Sequence, residues 1–500
     1  MSASPWETGY AFDEERLGFG EPPKLPDPAP SPAQRLAMGL IAAGALALVL
    51  FVAGLDLGGG WTALALTFGA LSLGTALFFY LDLAGTEPGV KNDRIFFRGV
   101  LNRGLLGWAL GIFLTGFYVV LYFYDDLQAM GMPPVLERPI RLLDPLARLV
   151  QAGESSRWFL YGVLYTLAIL LFGVRMFMKY RHSRYHQVRT ASVMFFQFVF
   201  AWSLPNLLVY FNKPYMEFNG IWPLKYDYLW PEKVLGGFLG GAGVVGVLLL
   251  GWVVGAVVAT PVLTYFFGKR WYCSWVCGCG GLAETLGDPW RQQSSKSESA
   301  WHVERWLIHA VLVAVVAVTA SLWIDHNLNG NLYGTWGAPL RKWYGFYVGA
   351  IFSGVIGVGF YPLMGNRVWC RFGCPQAAIL GIWQRVFSRF RITTNGGQCM
   401  SCGNCSTYCE MGIDVRAYAQ RGENVVRASC VGCGVCAAVC PRGVLKLENG
   451  LPGDRFEGAE NPLATFVAAF RNPRIYGYEA WPAPSRGGDE ADLGREPRAG

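Results

Sequence analysis

The chain has 500 residues, of which 53% are hydrophobic and only 15% charged. Soluble domains carry about 25% charged residues, which argues against an ordinary cytosolic enzyme. A formal charge of +7 is too small to argue for nucleic-acid binding, whereas 63 Gly, 19 Trp and 32 Phe fit a polytopic membrane protein.

Residues 1–35 are acidic and Pro-rich and lack an apolar stretch. They read as a disordered cytoplasmic tail without a secretory signal. Apolar stretches long enough to cross a ~30 Å hydrocarbon layer follow at 36–55, 61–81, 104–124, 158–178, 190–210, 235–267, 306–324 and 343–363. A transmembrane domain of about eight helices is therefore expected over 36–363. The sixth stretch is overlong and contains Pro261, which predicts a kink or a tilt.

Lysine and arginine are unevenly shared between the connecting loops. One set holds Lys91, Arg94, Arg98 and Arg103, then Lys179, Arg181, Arg184 and Arg189, then Lys269, Arg270, Arg291, Lys296 and Arg305. The opposite loops, 56–60, 125–157, 211–234 and 325–342, carry fewer. The positive-inside rule then puts both termini on the cytoplasmic side of a bacterial inner membrane. Beyond the last helix come a juxtamembrane segment (364–392), a small soluble module (393–450) and an extended or disordered tail (451–500).

All 13 cysteines fall between Cys273 and Cys440, in tight runs beside the spans, a pattern of metal ligation rather than of disulfides. The clearest run is Cys399-x-x-Cys402-x-x-Cys405-x-x-x-Cys409, followed by Cys430-x-x-Cys433-x-x-Cys436-x-x-x-Cys440-Pro441. In the bacterial two-cluster pattern the fourth cysteine of each run serves the other cluster. Cys399, Cys402, Cys405 and Cys440 are thus expected around one [4Fe–4S] cluster. Cys430, Cys433, Cys436 and Cys409 are expected around the second. Paired zinc sites are the competing reading. Glu410 follows Cys409 where the pattern has proline.

A second signal is an internal repeat. Gly268 to Cys277 and Gly365 to Cys374 both read Gly-x-Arg-x-aromatic-Cys-x-aromatic-x-Cys, and each follows a membrane helix. If each pair is helical, the i, i+4 spacing places Cys273 with Cys277, and Cys370 with Cys374, on one side about 5–6 Å apart. The four thiolates suffice for a third cubane; a zinc site and metal-free thiols stay open. Trp271, Tyr272, Trp369 and Phe372 suit the headgroup belt and a shield against water. Cys279 is a fifth thiol and a possible substitute ligand.

These residues resemble the polyferredoxin-type membrane iron–sulfur proteins, NosR-, NapH- and CcoG-like, in which paired Cys-x-x-x-Cys-Pro motifs precede a two-cluster ferredoxin module. The stretch Trp369 to Gln376 fits that pattern, and the resemblance covers residues 235 to 450. The first copy departs from it, with Gly278 after Cys277 in place of proline. The resemblance implies electron transfer.

Five histidines complete the inventory: His182, His186, His302, His309 and His326. No two sit at matching depth on different spans, so haem is not expected. Gln197 and Asn206 in the fifth span are read as interhelical hydrogen-bonding groups, with a quinone headgroup as the sharper alternative. No phosphate loop, dinucleotide fingerprint or flavin site is recognisable. The expected fold is a polytopic α-helical membrane protein with a C-terminal two-cluster ferredoxin-like α+β module. Its expected work is relaying electrons between a cytoplasmic carrier and a quinone or another subunit of a membrane redox complex. A redox assembly factor and a structural subunit are the alternatives.

Overall fold

The computed structural model describes residues 30–84, 104–241, 243–330, 332–395 and 398–449. The N-terminal tail up to residue 29 and the tail from 450 onward, read above as disordered, lie outside the described residues.

Among the described residues, seven helices are long and apolar enough to cross a membrane: α1 (Pro32–Ala53), α2 (Gly60–Ala84), α3 (Leu105–Tyr122), α4 (Arg157–Lys179), α5 (Arg184–Tyr210), α6 (Gly243–Phe267) and α7 (Glu298–Asn327). The sequence led us to expect eight. The last stretch is helical over Gly337–Tyr344 and on through Gly345–Ile356, here called α8. Arg341 and Lys342 lie in its first turns, which makes α8 less apolar than the other spans. It still carries the chain back to the cysteine-bearing end, because Arg367 beyond it reaches the carbonyl of Cys273.

The sixth stretch also differs from expectation. It is split into a wide-turned segment, Glu232–Leu239, and α6, with Pro261 retained inside α6. Glycines at 236, 237, 240 and 241 weaken the helix where it divides. The α1–α2 hairpin packs along α4, the most enclosed of the spans. Two walls contain π-type turns, Phe196–Ser203 within α5 and Gly345–Ile356 within α8. Such turns redirect side chains and are common at functional sites.

The module is held by a two-stranded antiparallel sheet. Strand β1 (Phe390–Thr394) pairs with β2 (Leu445–Asn449), with Ile392 opposite Leu447 and a further bridge from Ile392 to Val425. β1 begins within the segment assigned to the juxtamembrane stretch. Between them two short helices, Asn404–Thr407 and Val435–Ala438, each start after a left-handed glycine, Gly403 and Gly434, both at φ 75°. A side chain there is strained, and glycine lets the second and third cysteine of each run turn inward.

The module sits on the first repeat. Lys269 donates to the Val425 carbonyl at 2.8 Å, Arg270 Nε to that of Ala428 at 2.9 Å, and Ser274 to that of Val431 at 2.5 Å. One apolar cluster runs from Ile308, Tyr272 and Cys277 through Trp369 and Cys374 into Ile413, Val415 and Val431.

Candidate iron–sulfur centres

The two runs of the module fold as crossed sets. One small cavity is lined by Cys399, Cys402, Cys405 and Cys440, together with Pro441. A second is lined by Cys409, Cys430, Cys433 and Cys436. These are the sets expected from spacing. Amide donors already face the sulfurs: Asn404 Nδ2 lies 3.4 Å from Cys402 Sγ, and the Ile413 amide 3.4 Å from Cys409 Sγ. Hydrogen bonds of this kind stabilise charge on a thiolate.

The juxtamembrane repeat builds a third set. Cys273, Cys277, Cys370 and Cys374 are all buried, at 2 to 4% exposure. The pairs do not lie on continuous helices, as the i, i+4 argument supposed. Cys273 sits inside a short helix, Trp271–Trp275, whereas Cys277 is extended (φ −67°, ψ 128°) and caps the next helix, Gly278–Glu284. Cys370 sits in a wide turn, Trp369–Gly373, and Cys374 (φ −82°, ψ 114°) caps Pro375–Phe387. Each second cysteine donates its amide to the carbonyl of the repeat's aromatic residue, Cys277 to Tyr272 at 2.8 Å and Cys374 to Trp369 at 2.9 Å. The same turn is thus built twice.

The repeats lock to each other through their equivalent arginines. Arg270 Nη1 donates to the Cys370 carbonyl at 2.9 Å, and Arg367 Nη1 to the Cys273 carbonyl at 3.2 Å. Burial, with the neighbouring thiols Cys370, Cys374 and Cys277 adding to it, pushes the Cys273 thiol up. Burial and Cys370 and Cys277 push Cys374 up likewise. Cys277 is the exception, held down at about 7 by the Cys279 thiol, against its burial, with the Gly280 and Cys279 amides helping. Four thiolates so close repel one another unless cations lie between them, so the donor set fits an iron cluster. Among the described residues, no three or more His, Cys, Asp or Glu side chains converge on a point suited to a single metal ion. A cubane spreads its four ligands over several irons.

Tyr272 and Trp369, read from sequence as belt residues, are 1% and 5% exposed and pack on the thiols. Two contacts account for this: Tyr272 donates its hydroxyl to the carbonyl of Asn219 in the segment after α5, and Trp369 packs edge-on against Phe352 of α8 at 5.6 Å. The first pair also adjoins the middle of α5. Gly278 abuts Gln197, which lies about 20 Å along α5 from Arg184 at a rise of ~1.5 Å per residue.

Sequence reasoning missed a buried ionic network between this site and the module. Asp288 accepts from Arg175 at 2.8 Å, Lys179 at 2.7 Å and Arg291 at 3.1 Å. Glu284 accepts from Arg189, from Arg291 at 3.0 Å and from Arg367 at 2.9 Å. Glu410 accepts from Arg367 at 3.0 Å and forms an ion pair with Arg291, also at 3.0 Å. All these side chains are at most 4% exposed. Burial alone would raise the Glu284 carboxyl, but Arg189, Arg291 and Arg367 outweigh it and hold it at about 2. Asp288 is held far below the usual carboxylate range in the same way, by Lys179 and Arg175 against burial. Five cations face three carboxylates, and the positive excess stands beside sulfurs that become negative on binding iron. The signal in the sequence was Glu284, Asp288 and Arg291 in one short loop.

The histidines take local partners. His186 Nδ1 lies 2.8 Å from the Ser183 hydroxyl, and His309 Nδ1 2.6 Å from the Arg305 carbonyl. Gln197 Nε2 donates to Thr166 on α4 at 3.0 Å, and Asn206 to the Trp202 carbonyl at 2.7 Å.

Two iron–sulfur family models match this region. Residues 398–445 match the 4Fe-4S dicluster domain. A second family, the 4Fe-4S binding domain, matches twice, over 238–297 and 346–393, one match for each copy of the repeat. The chain is similar to YccM of Escherichia coli (strain K12), an electron transport protein by name, at 23% identity over 29% of this chain and 43% of YccM. It is also similar to MauN, the methylamine utilization ferredoxin-type protein of Methylobacillus flagellatus, at 28% identity over 31% of this chain and 54% of MauN. The matched region thus spans about half the length of these curated relatives. No solved structure matches the chain. With its apolar spans and its three domain matches, the chain is a multi-pass helical membrane protein carrying ferredoxin-type 4Fe-4S binding domains.

Proposed function

We propose that the chain is a membrane-anchored iron–sulfur relay with three centres. Cys399, Cys402, Cys405 and Cys440 hold one [4Fe–4S] cluster, and Cys430, Cys433, Cys436 and Cys409 the second. Cys273, Cys277, Cys370 and Cys374 hold the third, which leaves Cys279 unligated. When bound, each cluster supplies one-electron chemistry. The observation carrying this reading is that four-thiol sets with crossed fourth members line two separate cavities, next to a third buried set of four.

The chain's own residues place and shield these centres. Tyr272 and Trp369 exclude water from the third set, and the Arg367–Glu410 contact ties it to the module. Electrons pass between a cytoplasmic carrier meeting the module and a quinone or a partner membrane subunit at the other end. Both termini and the module face the cytoplasm, on the Lys/Arg asymmetry of the loops. Anaerobically purified protein is expected to contain about twelve irons per chain, from three cubanes. Changing Cys273 and Cys370 together to Ser lowers iron and acid-labile sulfide by about one third. Eight irons in the parent, or no change in the double variant, defeats the third centre.

A further inference from the structure

The membrane domain contains a cavity of about 760 Å³ whose wall includes Cys277, Cys279 and Trp369. That volume lies within the range of ~300–1,000 Å³ usual for small-ligand sites. The cavity runs between the π-type turns of α5 and α8, which contribute Gln197, Trp202 and Ser353 among others. At its other end stand Gln151, Ser156 and Trp158, at the start of α4. The opposite end of α4 carries Lys179, paired with Asp288 beside the cysteines. The cavity therefore extends toward the face away from the module.

Two observations mark the cavity as a polar binding site rather than a packing fault. Gln197 is 4% exposed, and its Oε1 has no hydrogen-bond partner among the described residues. The Nε1 atoms of Trp202 and Trp369 and the hydroxyl of Tyr344, also on the wall, likewise lack one. Buried polar groups normally find partners, so these atoms await a ligand's. The second observation is Gly278, which departs from the Cys-Pro pattern. A Cβ there would stand 2.8 Å from Gln197 Oε1 and 3.4 Å from Asn219 Nδ2. Glycine leaves both amides free to approach the backbone beside Cys277.

We propose that this cavity binds the headgroup of a lipid-soluble hydroquinone, entering from the face opposite the module. Gln197 Oε1 needs a donor, which a hydroquinone O–H supplies. The indole N–H groups of Trp202 and Trp369 need acceptors, which its ring oxygens supply. Tyr161, Tyr165 and Phe159 give flat walls for an aromatic ring. The proposal rests on the placement of a cluster at Cys273, Cys277, Cys370 and Cys374, because the ligand then touches a redox centre through Cys277.

The test uses purified holoprotein in detergent and decylubiquinol as probe, with decanol as a chain-only control. Saturable binding of one decylubiquinol per chain is expected, with slowed alkylation of Cys279 by N-ethylmaleimide. Gln197→Leu and, independently, Trp202→Phe should each weaken binding, the former by roughly tenfold or more, with iron content unchanged. Absence of saturable binding overturns the proposal. So does equal competition by decanol, which would make the cavity a site for acyl chains. Iron content and the spectrum of the reduced clusters, read on the same samples, keep the two readings apart. Intact clusters without hydroquinone binding defeat this inference alone, whereas eight irons defeat the relay reading beneath it.

Discussion

Glu410 and Arg367 meet at 3.0 Å with both side chains shut away from solvent, and the pair joins two of the cysteine sets. Glu410 follows Cys409 of the module, while Arg367 precedes Cys370 by one turn and places Nη1 3.9 Å from its sulfur. The glutamate stands where the two-cluster pattern has proline. A proline would cap the turn but leave Arg367 and Arg291 short of a carboxylate. Removing one member of a buried pair costs about 3–5 kcal/mol. Glu410→Ala is therefore expected to lower the denaturation midpoint markedly, with the module's eight irons retained. Glu410→Gln keeps the shape and part of the hydrogen bonding, and should fall between it and the parent. A midpoint unchanged in both variants would show that the pair does not hold the module to the membrane domain.

The reciprocal bonds of Arg270 and Arg367 to the carbonyls of Cys370 and Cys273 predict matched phenotypes. Arg270→Ala and Arg367→Ala should each deplete the proposed third cluster preferentially, so that iron falls toward two thirds of the parent value. Iron assay with spectroscopy of the reduced protein distinguishes this from general loss. Equal depletion of all clusters would mean that the arginines serve folding as a whole.

Crossed ligation makes a sharper prediction within the module. Cys440→Ser should damage the cluster served by Cys399, Cys402 and Cys405, although Cys440 ends the other run. Cys409→Ser should damage the cluster served by Cys430, Cys433 and Cys436. Pairing each single variant with Cys402→Ser or Cys433→Ser gives the readout. Cys440→Ser with Cys402→Ser should cost one cluster in total, and Cys440→Ser with Cys433→Ser should cost two. The reverse pattern would assign each run to a single cluster.

The acid stability of the network follows from Glu284. Its folded value, about 2, lies below the ordinary 4.5. A depressed carboxyl contributes stability above its unfolded value and loses it as pH falls through the folded one. The gap in denaturation midpoint between parent and Glu284→Gln should be full at pH 6 and shrink between about 4.5 and 2. A gap independent of pH would place the effect in packing rather than charge. Iron loss in acid affects both proteins and so cancels in the comparison.

Much of the site was legible in the sequence because thiolate ligation depends on short spacings. The module's two runs and the two juxtamembrane pairs are visible as Cys-x-x-Cys and Cys-x-x-x-Cys spacings, and the crossed sets come from the two-cluster pattern. The surroundings of the site were not. Lys179, Arg189 and Arg291 look like cytoplasmic loop charges under the positive-inside rule, yet each is buried against Asp288 or Glu284. Burial of this kind depends on which loops meet, which periodicity does not reveal. Gly278 and Glu410 were visible only as departures from a pattern. Their reasons, the Gln197 amide and the Arg367 guanidinium, lie 81 and 43 residues away in sequence. The bounds of the eighth span shifted because 343–363 is apolar, while the helix formed there begins earlier and includes Arg341 and Lys342.

The character of α8 decides the parity of the crossings. Seven crossings would leave the two ends of the membrane domain on opposite sides, whereas α8 as an eighth puts them on one. The path of the chain favours the second arrangement. Residues before α7 and after α8 share one ionic network through Glu284, Arg291 and Arg367, and α7 with α8 must then go out and return. The loop 125–157 lies at the far end of α4 from Lys179, whose partner Asp288 belongs to the same network. Reporter fusions placed within 125–157 and after Gly450 are therefore expected on opposite sides, with the latter cytoplasmic by the Lys/Arg distribution. A fusion near the N-terminus should report the same side as the one after Gly450. If the two end fusions disagree, the chain crosses an odd number of times. If they agree but both face outward, the crossing count stands and the orientation proposed for the clusters is reversed.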